Sequence, residues 1–215
     1  MVTGPVITTD TAYDDYTYLA LGDSYTIGES VPETARFPEQ AVQLLRAAHI
    51  RIAAPRIVAT TGWTTDELQA GITTANIQGS YDVVTLLIGV NDQYRGRPVA
   101  EYRPLFTALL QQAIGFAGGH AERVVVISIP DWGVTPYASG RNRQQIAAEI
   151  DAYNVANKAI TASMGAAYLD ITPGSRKAAT DTSLIAEDGL HPSGKAYTIW
   201  AKALLPLLKK ALGKQ

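Results

Sequence analysis

The stretch Asp82-Val83-Val84-Thr85-Leu86-Leu87-Ile88-Gly89 decides the fold. Its apolar residues run almost unbroken instead of alternating. That is the pattern of a central strand buried on both faces, which belongs in a parallel sheet with helices on either side. Working outward, Tyr18-Leu19-Ala20-Leu21 reads as a short buried strand ending at Gly22. Residues 56–60 read as a second strand closed by Gly62, 123–129 as a fourth and 166–170 as a short fifth. Between them apolar residues recur at helical spacing, as in Phe37, Ala41, Leu44, Leu45 and Ala48, or Tyr102, Phe106, Leu109, Leu110 and Ala113. Leu68 and Ile72 mark another helix, which Thr64 or Thr65 can cap. Ile146 to Met164 mark a long helix, and Ser193 begins the last one, through Trp200, Leu204 and Leu208. Strands alternating with helices imply right-handed crossovers. The expected architecture is a three-layer α/β/α sandwich around a five-stranded parallel sheet, with residues 1–16 a flexible lead-in and 17–215 a single domain.

Composition narrows what such a domain can do. With 47% hydrophobic and 18% charged residues, the 215-residue chain reads as an ordinary globular protein with one sizeable core. A net charge of −2 gives no electrostatic reason to expect nucleic acid. Absence of cysteine excludes disulfides, thiolate metal sites and a thiol nucleophile. His49 and His120 lack paired-ligand spacing, so no metal or other cofactor is expected. No apolar run approaches the roughly 20 residues of a membrane span. The first 16 residues carry Asp10, Asp14 and Asp15 and do not read as a signal peptide. A soluble chain is expected, cytoplasmic or exported after trimming of a leader, and a monomer by default.

Ligands of open parallel sheets bind outside the carboxyl ends of the strands. Ser24, Gly62 and Asn91 each fall just after an expected strand, and His191 lies in a loop able to reach that edge. A serine hydroxyl there becomes a nucleophile if a histidine takes its proton. Asp188, three residues before His191, can fix the tautomer through Nδ1 and leave Nε2 toward Ser24. The Ser24 and Gly62 N–H groups and the Asn91 amide then supply three donors for an oxyanion. Each piece alone has a plainer reading. Asp23 and Ser24 could simply cap a helix, Asp188 could form an Asx turn, and Gly62 and Asn91-Asp92 could be turn residues.

In chain order, Gly22-Asp23-Ser24, Gly62, Gly89-Val90-Asn91-Asp92 and Asp188-Gly189-Leu190-His191-Pro192 together resemble the four blocks of the SGNH hydrolases, also called GDSL-type esterases. The resemblance implies the flavodoxin-like SGNH fold and an ester hydrolase. It implies Ser24, Asp188 and His191 as catalytic residues, and Ser24, Gly62 and Asn91 as the oxyanion hole. Tyr25 stands where family members often carry leucine, which bears on substrate preference. Tyr25 and Trp132 are candidate substrate-binding residues, with Tyr137 in the same loop as Trp132. The expected partner is a small-molecule ester, with small acyl groups favoured. Acyl thioesters, lysophospholipids, acetylated sugars, acyl transfer to another alcohol, and a non-catalytic binding module are the alternatives.

Overall fold

The computed structural model describes residues 15–214. Residues 1–14 of the expected lead-in lie outside the described residues; Tyr16 is described, bridges Ile52 and packs on the core. The chain forms β1 (Tyr18–Gly22), α1 (Ser24–Ile27), α2 (Phe37–Ala47), β2 (Arg56–Ala59), α3 (Thr65–Ala75), β3 (Val83–Leu87) and α4 (Val90–Tyr94). It continues with α5 (Val99–Phe116), β4 (Val124–Ile127), α6 (Arg143–Ser163), β5 (Ala167–Leu169), α7 (Thr172–Ser175) and α8 (Gly194–Ala211). The five strands are parallel in the order β2-β1-β3-β4-β5. Helices α2 and α8 pack on each other, as α5 does on α3 and α6, to give the two outer layers.

β1, β3 and β4 are buried at every position, as their unbroken apolar runs require. Each buried Val or Leu contributes about 1.5–3 kcal/mol of transfer free energy, and this central trio forms the middle layer of the core on which the helices pack. Strands β2 to β5 end a residue or two inside their expected limits, and at β3 the reasons are identifiable. Asp82 precedes β3 because its carboxylate accepts the Thr17 N–H and hydroxyl at 2.8 and 2.9 Å. β3 stops at Leu87 as the chain turns through Gly89 into α4. Thr64, rather than Thr65, caps α3, and the Glu67 carboxylate accepts the Thr64 N–H in return.

In this strand order the crossovers leave β1 and β3 in opposite directions, and a crevice opens outside their carboxyl ends. Ser24 follows β1 and Asn91 follows β3, so the topology sets both at the crevice.

Candidate active site

Gly22 ends β1 with no room for a side chain. A Cβ there would stand 2.2 Å from Thr26 Oγ1 and 2.5 Å from the Leu87 carbonyl oxygen. That close approach lets the chain turn straight into α1. Asp23 caps α1 by accepting the Tyr25 N–H at 3.0 Å, and Ser24 is the first helical residue. The Ser24 N–H is therefore one of the first-turn donors that no helical carbonyl can reach. Asp23 is buried, and among the described residues its Oδ2 has no hydrogen-bond partner. Burial, opposed by the Tyr25 N–H and reinforced by Asp92, pushes its carboxyl up to about 8.

Asp188 does two things at once. Its Oδ1 accepts the Leu190 and His191 N–H groups at 2.9 Å, the Asx turn of the plainer reading. Its Oδ2 meets His191 Nδ1 at 2.5 Å and accepts the Ser30 hydroxyl at 2.7 Å. Burial would raise this carboxyl, but the hydrogen bonds from His191, Leu190 and Ser30 outweigh it and hold it at about 2. An ionised carboxylate only accepts, so Nδ1 is the donor and Nε2 of the neutral ring carries the free lone pair. Tyr25 packs edge-on against the ring, with centroids 5.7 Å apart.

The Asn91 amide donates one proton to the Trp63 carbonyl at 2.9 Å, which orients the side chain and leaves its second proton without an acceptor among the described residues. Asp92 beside it is fully buried and ties α4 to the start of α3, accepting the Thr65 N–H and hydroxyl at 3.0 and 2.7 Å and Arg97 at 2.6 Å. Gly62 has φ +87° and faces open space: a Cβ there would meet no atom within 4 Å. Its carbonyl accepts Arg95 Nη2 at 2.7 Å, while the same guanidinium grips Glu67 at 3.0 Å through both nitrogens. Arg95 thus locks the glycine loop to the end of α4, while the Gly62 N–H finds no acceptor among the described residues.

One cleft of about 130 Å³ is lined by Ser24, Gly62, Asn91 and His191, with Tyr25 and Trp132 in its walls. Every site residue expected from the sequence except Asp188 lines it, and Asp188 stands behind His191. Tyr25, Trp132, Leu190 and His191 also wall a second, mostly apolar cavity of about 40 Å³, closed by Ala178, Ala196 and Trp200 among others. Ser24 Oγ makes no hydrogen bond among the described residues, and apo sites often tighten only on binding substrate. His49 and His120 lie away from the cleft, His120 beside Glu122 at 3.0 Å.

The family model of the GDSL-like lipase/acylhydrolase family matches residues 20–199. The chain belongs to that family. Among solved structures, this acylhydrolase-family chain is similar to TesA, with TM-score 0.72, 19% identity and coverage of 91% of this chain and 99% of that one. It is also similar to the psychrotrophic esterase EstA from Pseudoalteromonas sp. (TM-score 0.65, 19% identity, 93% and 100% covered). A third likeness is to Axe2, an acetylxylan esterase from Geobacillus stearothermophilus (TM-score 0.68, 20% identity, 90% and 94% covered). No curated protein sequence matches. These likenesses show the α/β/α fold over 90–93% of the chain. No helix among its described residues is long and apolar enough to cross a membrane.

Sequence reasoning missed several residues of this GDSL-like site. Ser30 reaches Asp188 from 158 positions away in the chain, and Tyr94 joins the cleft wall from α4. Arg95 and the Trp63 carbonyl act on Gly62 and Asn91 through tertiary contacts alone. No local pattern marks any of them.

Proposed function

We propose that the protein is an esterase that cleaves carboxylic esters of small acyl groups through an acyl-enzyme on Ser24. The observation that carries this reading is the meeting, in one cleft, of a serine at a helix start, a carboxylate-oriented histidine and three hydrogen-bond donors. Ser24 Oγ attacks the ester carbonyl carbon while His191 Nε2 takes the hydroxyl proton. The oxyanion is held by the Ser24 and Gly62 N–H groups and the free proton of the Asn91 amide. Collapse breaks the C–O bond to the alcohol, which leaves with the proton from Nε2. Water then attacks the acyl-enzyme, gives one proton to Nε2, and the acid leaves as Ser24 recovers its hydrogen. Asp188 stays ionised throughout and stabilises the imidazolium.

The small apolar cavity supports the choice of acyl group. Its 40 Å³, at about 10–15 Å³ per water-sized group, takes about three such groups, the tail of a propionyl or butyryl chain. The alcohol then lies along the open cleft past Tyr94 and Tyr137, which are 42% and 44% exposed. Those rings favour a sugar as the alcohol, the class of substrate that the name of Axe2 carries.

A series of p-nitrophenyl esters from acetate to decanoate tests this. kcat/KM should peak at two to about four carbons and fall steeply beyond; a profile still rising at octanoate overturns the small-acyl assignment.

A further inference from the structure

Tyr94, Trp132 and Tyr137 stand as a triangle of rings on the cleft wall, with centroids 5.4, 6.1 and 6.4 Å apart. The guanidinium of Arg141 sits against all three, its Cζ 5.0, 5.3 and 5.6 Å from their centroids. It also donates to the Tyr94 hydroxyl at 3.0 Å, and that oxygen lies 2.9 Å from the Tyr137 hydroxyl. The cation is therefore held in place, yet its charge is not neutralised. Arg95, Arg97 and Arg176 each pair with carboxylates. Arg141 pairs with none among the described residues, and neither does Arg143, which donates to the Val134 and Thr135 carbonyls.

Their position in the chain makes this costlier for the fold. Arg141 precedes Asn142, the N-cap of α6, and Arg143 is the first residue of that helix. Cations are disfavoured at a helix N-terminus and acids are favoured there. Helices α2, α3 and α5 follow the rule with Glu39, with Asp66 and Glu67, and with Glu101, and where α8 instead carries Lys195 in its first turn, Asp181 pairs with it at 2.9 Å. The first turn of α6 holds no acid. Two arginines in a position that stability argues against call for a functional reason.

We infer that Arg141, seated on Tyr94, Trp132 and Tyr137, binds an anionic group on the alcohol part of the ester substrate. The inference rests on the hydrolase reading above and adds the substrate's charge. A planar guanidinium with unused donors matches a carboxylate or phosphate, and the rings hold it there without cancelling its charge. The anion belongs to the alcohol because the mostly apolar cavity beside His191 has no lysine or arginine in its lining and has Asp131 there, so it would strip a charged acyl tail of water and repel it.

Three acetates of one phenol scaffold test the assignment: neutral methyl 4-acetoxybenzoate, its carboxylate 4-acetoxybenzoate, and 4-acetoxyphenyl phosphate. The readout is the ratio of kcat/KM, anionic over neutral, in the parent protein, Arg141→Gln and Arg141→Lys. Arg141→Gln should lower the ratio about ten-fold for at least one anion, and which one falls further tells carboxylate from phosphate as the natural group. Arg141→Lys should fall between, because it keeps the charge without the planar fork. Added salt should lower the parent's ratio and leave that of Arg141→Gln unmoved. Ratios equal in the parent and Arg141→Gln for both anions overturn the inference and leave the esterase reading standing. A parent protein that cleaves none of the three overturns both.

Discussion

Replacing Asn91 by alanine separates catalysis from scaffolding. One amide proton of Asn91 is spent on the Trp63 carbonyl at 2.9 Å, and in the proposed mechanism the other meets the charge that develops on the substrate oxygen. Deleting an oxyanion donor of this kind costs about 10²–10³ in kcat, roughly 2.7–4 kcal/mol, even where other donors remain. KM should move little, since the donor acts mainly on the transition state. The lost bond to Trp63 is a separate matter, worth about 1 kcal/mol of stability. In a domain of this size that is about 2–4 °C in Tm. Steady-state kinetics on p-nitrophenyl acetate and a thermal melt by circular dichroism read the two effects independently. Asn91→Asp, which cannot donate from the same place, should be at least as slow. A kcat within about five-fold of the parent, alongside the expected fall in Tm, would reduce Asn91 to a strut for the Trp63 loop and refute the reasoning.

Asp23 gives a pH-dependent stability. Its folded carboxyl is raised to about 8 by burial, so above about pH 4 the unfolded chain ionises while the folded one holds its proton, and stability is lost as pH climbs toward 8. The Tm of Asp23→Asn should therefore decline less between pH 6 and 9 than that of the parent, and equal slopes would contradict the shift. Asp92→Ala strips a fully buried carboxylate from Arg97 and Thr65; a loss of about 3 kcal/mol and about 6–12 °C in Tm is expected, and a melt unchanged within a degree would show that α4 is anchored elsewhere.

Much of this molecule was legible in its sequence because its signals are local. The nearly unbroken apolar run Val83 to Ile88, interrupted only by Thr85, marks a strand buried on both faces, and each helix stripe repeats at its own period. Ser24, Gly62 and Asn91 stood out because strand ends in a parallel sheet must share an edge. What stayed hidden depends on tertiary contact. Strand limits moved where Asp82 turned to Thr17 and where Gly89 began α4. Helices of four or five residues, such as α1 and α4, are too short to show a period. The plainer readings of Asp23 and Asp188 hold as well, since both carboxylates satisfy local N–H groups. Ser30, Arg95 and Arg141 gain their roles from partners distant in the chain, which no spacing rule reveals.

The central claim is that Ser24 becomes covalently acylated with His191 as its base. The most direct measurement is intact-protein and peptide mass spectrometry after reaction with a fluorophosphonate. One adduct per chain on Ser24 is expected, together with loss of esterase activity and no labelling of Ser24→Ala or His191→Ala. An unlabelled parent protein, or an adduct on another residue of an active one, would contradict the account.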